Sequence, residues 1–151
     1  MNTRILKTLS SFFLFIFLSN ELLADQGISS DQVLIGMHTD ISGPASMIGK
    51  QSVDGANMRF KEFNENGGAF GRTIKLIVED HQYTVPRAVQ AANKLLRKDK
   101  VAFMMGALGT PMNNAVMTDQ LAMNVPNLFP LTAARSMFDP FDRLKFTSGS
   151  T

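Results

Sequence analysis

The chain has 151 residues, no cysteine and a formal net charge of +2. That length supports one domain with a substantial core and falls short of two ordinary ones. Lacking cysteine, it has no disulfides, thiolate nucleophiles or cysteine metal sites, and its slight, interleaved basic excess forms neither a nucleic-acid stripe nor a polybasic membrane patch.

Arg4 and Lys7 precede an apolar run over residues 12–18, and a short stretch then ends at Ala24. This is the charged, apolar and small-residue order of a secretory signal over residues 1–24, with an apolar run too short for a comfortable membrane span. Cleavage would start the mature chain near Asp25, in the periplasm or its Gram-positive equivalent. Retention as an anchor is the alternative, because Leu22 is large for its place before the cleavage point.

Along residues 25–151 short apolar runs alternate with amphipathic stretches. Residues 33–37 read as a buried strand, closed by the loop chemistry of Asp40-Ile41-Ser42-Gly43-Pro44. A helix is predicted over residues 46–66, with Val53, Ala56, Phe60 and Phe63 on one face and Gly67 and Gly68 as a left-handed stop. Residues 72–80 form a second predicted strand. Thr84 is placed to cap a second helix, with Pro86 tolerated in its first turn and Ala88, Ala91, Ala92, Leu95 and Leu96 on the inner face. The basic run over residues 94–100 falls at its carboxyl end, where cations suit the dipole.

Residues 101–105 read as a third, fully covered strand. The turn that follows, Gly106-Ala107-Leu108-Gly109, leads into a helix over residues 111–123, with Thr110 expected as its N-cap and Pro111 in the first position. A helix opening beyond a strand's carboxyl end points free N–H groups and a positive dipole end outward, which suits a carboxylate or another small anion. Residues 127–131 form a fourth predicted strand and residues 144–147 a possible fifth. The pattern specifies an α/β fold, a doubly wound parallel sheet with helices on both faces.

Ligands of such sheets lie beyond the strands' carboxyl ends, which places residues 40–49, 80–84, 106–110 and 131–134 as the loops to search. Catalysis finds little support there. No GxSxG, HExxH, P-loop or GxGxxG is present, so no enzyme class, metal or cofactor is implied. Of the two histidines, His81 is expected in a solvated loop and His38 half-buried with its hydrogen bonds satisfied. Ser42, Gly43, Thr110, Thr132 and Ala133 instead bring small hydroxyls and accessible backbone to one edge, the chemistry of a small polar ligand. Taken singly, each reads better as a cap or a turn, and only their convergence favours a site.

The chain resembles the N-terminal lobe of periplasmic substrate-binding proteins of the branched-chain amino acid (Leu/Ile/Val-binding) ABC transporter family. The resemblance rests on Val33-Leu34-Ile35-Gly36 followed by Ser42-Gly43-Pro44 and Gly49, on Gly55-Ala56 and on Asn66-Gly67-Gly68 with Gly71. It continues through residues 74–80, Arg87-Ala88-Val89, the Gly106 turn and Val125-Pro126. It implies a two-lobe trap that holds an amino acid or a related small amide or carboxylate and delivers it to an ABC permease. It also implies a monomer, no cofactor and no nucleic acid. Carried over by position, Thr110 would bond the ligand carboxylate and Leu131 would offer its carbonyl to the ammonium. Ala133 stands where threonine is frequent, which passes a hydroxyl contact to Thr132. Ile48 stands where an aromatic residue commonly lines the pocket.

Family members often tie the second and third strand–helix loops by a disulfide. Tyr83 and Gly109 occupy those positions here, and Tyr83 is expected to pack over Gly109 as a pocket wall. Residues 128–135 resemble a subgroup whose ligands need not be leucine, since amides, urea-like compounds and aromatic acids are bound by relatives. The resemblance also implies a second lobe, so residues 25–151 read as an incomplete ligand-binding lobe, a fragment expected to bind weakly or not at all. A sensor or regulatory module of the same fold is the alternative.

Overall fold

A computed structural model describes residues 26–147. The predicted signal segment and its cleavage point lie outside those residues. β1 (Gln32–Thr39) leads into α1 (Ser46–Glu65), β2 (Thr73–Asp80), α2 (Val85–Asn93), β3 (Phe103–Met105), α3 (Thr110–Ala122), β4 (Asn127–Leu128) and β5 (Lys145–Phe146). The five strands form one parallel sheet in the order β2-β1-β3-β4-β5, with β1 and β2 in register along their whole length from Gln32↔Thr73 to Thr39↔Asp80. No helix among the described residues is long and apolar enough to cross a membrane.

Alternation along β1 assigns the helices to faces. A side chain at Gly36 would meet Leu95 and Val101, and Leu34 packs on the cluster of Ala92, Leu95, Leu96, Val101, Met104, Val116 and Val125. That cluster, drawn from α2, α3 and the strands, is the main core. On the opposite face, Gly49 of α1 sits against the Asp40 carbonyl and Thr39 Oγ1, above buried Ile35 and Met37. A strand order that steps left once and then right places the first crossover helix on one face and the next two on the other, given right-handed connections. The doubly wound sheet read from the sequence is the fold observed.

The elements differ from expectation at their ends, each time for a local reason. α2 passes into a π-helical turn over Lys94–Lys98, which lets Leu95 and Leu96 both bury while Lys94 Nζ pairs with Glu79 at 2.5 Å and Asp99 at 2.9 Å. Val101 is therefore the end of that turn, its N–H bonded to the Leu95 carbonyl, and β3 begins only at Phe103. β4 stops at Leu128 because Phe129 adopts a left-handed φ of 51° and Pro130 has no N–H for the ladder. A single parallel bridge between Leu108 and Leu131 resumes the pairing beyond that break.

Candidate functional site

Beyond the carboxyl ends of β1–β4, four loops touch one another in sequence along the sheet edge. The first, residues 40–45, is wound around a buried carboxylate. Asp40 accepts the backbone N–H groups of Ser42 at 3.2 Å, Gly43 at 2.5 Å and Ala45 at 2.7 Å. Asp80 ties that loop to the next by accepting from Ile41 N–H at 3.0 Å, the Ser42 hydroxyl at 2.5 Å and Gln82 N–H at 3.0 Å. Burial alone would raise the Asp80 pKa, but these three donors and nearby His81 outweigh it and hold the carboxyl below its ordinary value. Pattern reading took residues 40–44 as loop chemistry and singled out Ser42 and Gly43 as groups at the binding edge. The two aspartates that organise it were legible as residue types, whereas their several N–H partners depend on the folded loop.

The second and third loops meet above the end of β1. His81 is fully buried, not solvated as expected, because the 106–109 turn closes over it. Its Nε2 lies 3.1 Å from the Leu108 carbonyl, and its Nδ1 lies 3.0 Å from the Tyr83 N–H. A carbonyl can only accept and a backbone N–H can only donate, so the ring is a neutral Nε2–H tautomer. Burial pulls its pKa below the ordinary histidine value, against the opposing pull of the Leu108 carbonyl, Asp40 and Asp80. His38, 5.6 Å away between ring centroids, is also fully buried rather than half-buried. Neither of its ring nitrogens has a protein partner, which corrects the expected satisfied histidine. Burial, and secondarily repulsion from His81 whenever that ring is charged, lower its pKa from 6.5 to about 3.

Tyr83 packs over Gly109 as the resemblance implied. A Cβ built on Gly109 would lie 3.1 Å from Tyr83 Cε2 and 2.2 Å from Met112 Cε. Gly109, at φ 93° and ψ 134°, is the N-cap of α3. Thr110 is the first helical residue instead of the expected cap, because only glycine tolerates the backbone that the turn requires at 109. The Thr110 hydroxyl instead hydrogen-bonds the Thr132 hydroxyl, joining the third loop to the fourth. Thr84 likewise stands at the N-cap of α2 but donates its hydroxyl to the His81 carbonyl rather than serving a helix N–H.

The turn is locked from behind by a residue that the sequence reading missed. Asn113 is buried on α3, and its Nδ2 donates to the carbonyls of Ala107 and Gly109, both at 2.9 Å. Its only signal was an amide on the inner face of a helix's first turn. On the fourth loop, Leu131 N–H bonds Ala107 O at 2.8 Å and Leu131 O receives Gly109 N–H at 3.3 Å. One lone pair of that carbonyl is thus engaged within the protein. Ala133 lies exposed beside Thr132, whose Oγ1 accepts the Ala134 N–H. Ile48, 49% exposed, sits in the first turn of α1 at the far end of the first loop.

Thr110, Thr132, Leu131 and Tyr83 with Gly109 are therefore brought into one connected edge, with Ile48 on its outer flank. The arrangement offers two neutral hydroxyls and a helix N-terminus opened by glycine, the equipment for holding a small anion by hydrogen bonds and dipole. Among the described residues, no group of three or more His, Asp or Glu side chains is placed to hold a metal ion. His81 has both ring nitrogens committed to backbone partners, whereas the neighbouring buried imidazole, His38, has neither engaged.

Comparison with known proteins bears on the fold and the family. A Leu/Ile/Val-binding protein of Rhizobium johnstonii is 30% identical over 102 residues, covering 68% of this chain and 27% of that protein. A substrate-binding periplasmic protein from Ralstonia solanacearum superposes with a TM-score of 0.71 at 26% identity, over 77% of this chain and 33% of that one. A fatty acid ABC transporter substrate-binding protein from Thermomonospora curvata gives a TM-score of 0.64 at 25% identity, over 73% and 28%. The chain spans about a quarter of the curated relatives it matches. The family described as periplasmic binding protein matches residues 32–140, a stretch that contains the sheet edge from Asp40 to Ala134. With that match and the shared parallel sheet, the chain belongs to the periplasmic binding protein family.

Proposed function

We propose that this chain forms one wall of the ligand cleft of an extracytoplasmic solute-binding component of an ABC importer. Its ligand is a small carboxylate, a branched-chain amino acid or a related acid, and its partner is a membrane permease. The observation that carries this reading is the junction at Gly109-Thr110-Thr132. There a glycine-opened helix N-terminus and two paired hydroxyls face the carboxyl edge of a parallel sheet. The relatives named for Leu/Ile/Val and for fatty acid share one group, a carboxylate, and this junction has the chemistry to hold it. Thr110 and Thr132 would bond the carboxylate, and the free lone pair of the Leu131 carbonyl would meet an ammonium. Tyr83 and Ile48 would flank the side chain, with Ala133 leaving room beside Thr132. Nothing in the arrangement supplies a nucleophile with a base, which favours binding over catalysis.

NMR chemical-shift titration, which reads millimolar affinities, tests the assignment on the chain and its Thr110→Val variant with leucine, leucine methyl ester, leucinamide and octanoate. Binding of leucine and octanoate is expected to weaken about tenfold in the variant, as for loss of a hydrogen bond to a charged group. Equal binding of leucine and its methyl ester would remove the carboxylate from the assignment. Leucinamide bound in preference to leucine would redirect it to an amide.

A further inference from the structure

We propose that His81 is a positioning residue, a neutral imidazole strap that joins the second and third loops and holds the Tyr83 ring over Gly109. Three features of the 80–84 loop support it. First, Gln82 and Tyr83 both adopt left-handed backbone, at φ 49° and 56°, which side-chain-bearing residues seldom do in succession. Such a conformation persists where bonds impose it, and here Gln82 N–H is held by Asp80, Tyr83 N–H by His81 Nδ1 and Thr84 N–H by the His81 carbonyl. Second, the same ring reaches across the end of β1, 27 residues along the chain, to the Leu108 carbonyl at 3.1 Å. Third, Gly109 follows Leu108 directly, so the atom that anchors the strap and the glycine under the tyrosine belong to one turn. The chain has no cysteine, so no disulfide can join these loops.

One proton would undo the arrangement. An imidazolium has no lone pair for Tyr83 N–H, and the two would then meet donor to donor. The groups facing His81 are His38 from β1, Asp40 from the first loop and Asp80 from its own strand, while the 106–109 turn presents only the Leu108 carbonyl. The two carboxylates favour the charged ring, and burial opposes it. Protonation would release Tyr83 from Gly109 and loosen that wall of the edge. Only this last consequence for ligand capture rests on the function proposed above. The strap itself does not depend on it.

The test needs no ligand, because Tyr83 is the only tyrosine and the chain has no tryptophan, so its emission reports one ring. In ¹⁵N-histidine-labelled protein at pH 7, long-range ¹⁵N–¹H correlation is expected to show His81 as the Nε2–H tautomer; an Nδ1–H tautomer would overturn the proposal. His81→Phe, which keeps an aromatic volume and loses both bonds, is expected to raise acrylamide quenching of Tyr83 about twofold, as for release of a locally held loop. Quenching equal to wild type in a folded variant would likewise overturn it. Should that variant fail to fold, the wild type is titrated with acid while the His81 ring resonances and Tyr83 quenching are followed together. Parallel transitions support the strap, and a His81 transition without a change at Tyr83 refutes it. A strap found in protein that binds no carboxylate would leave this inference standing and the proposed ligand class wrong. Carboxylate binding without a strap would do the reverse.

Discussion

Gly109 and His38 are the residues at which the smallest change is expected to say most. At φ 93° and ψ 134° a side chain at position 109 meets backbone strain, and its Cβ would also intrude on Met112 and Tyr83. Gly109→Ala is expected to cost about 2–3 kcal/mol, read as a lower urea midpoint at unchanged m-value. His38 makes an opposite kind of statement. Its pKa in the folded protein, about 3, lies below the 6.5 of an exposed imidazole, so the unfolded chain binds the extra proton first as pH falls. Stability is therefore unaffected above pH 6.5 and drops by about 1.4 kcal/mol per pH unit below it, until the folded protein takes up the proton too. Since no protein hydrogen bond is lost, His38→Leu is expected to match wild type at pH 7. Its urea midpoint should then fall less steeply between pH 6 and 4. Parallel pH profiles for the two proteins would show that His38 is not the group responsible.

Among the elements, α1 depends most on a single close approach. Its first turn is brought so near the end of β1 that a Cβ on Gly49 would stand 1.8 Å from the Asp40 carbonyl oxygen. The same Asp40 uses its carboxylate to gather the N–H groups of Ser42, Gly43 and Ala45, so the loop before α1 and the seat of α1 share one residue. Asp40→Ala leaves three partly covered N–H donors without their acceptor and is expected to cost about 2–3 kcal/mol. Hydrogen exchange should show the loss concentrated in residues 41–50, with the 106–109 turn protected as before. Equal loss across the whole sheet would instead mean that Asp40 supports the core rather than this loop. α3 is arranged differently. Asn113 ties it to its own preceding turn, so the helix and the proposed anion seat move as one piece.

At the level of the entire chain, the edge is a wall and not an enclosure. Thr110 and Thr132 are only partly covered, Ala133 and Tyr83 are exposed, and the loops face outward from the sheet. A ligand seated there keeps water on its far side, and hydrogen bonds that compete with water contribute little net free energy. The 151-residue chain alone is therefore expected to bind leucine with a Kd of about a millimolar or weaker by calorimetry. Sub-micromolar binding would show that this wall encloses its ligand by some other means.

Periodicity and punctuation sufficed for the sheet and its helices because each signal is local. Alternating Ile74, Leu76 and Val78, the Phe60–Phe63 helical face and the Gly67-Gly68 stop act within a few residues of themselves. The rule that ligands lie beyond parallel strand ends singled out four loops that the fold brings together at one sheet edge, and the resemblance placed Tyr83 against Gly109. What escaped were burial, backbone conformation and hydrogen-bond partners that the folded loops decide. His81 looked solvated because nothing near it in the chain shows the 106–109 turn folding over it. Thr110 looked like a cap because the local pattern does not show the positive φ that gives that task to Gly109. Asn113 was a helix amide until Ala107 and Gly109 turned their carbonyls toward it. Local patterns fix which residues can form a strand or a helix. Burial, tautomer and hydrogen-bond partner arise where loops far apart in sequence come together, and those decide how the edge could hold a ligand.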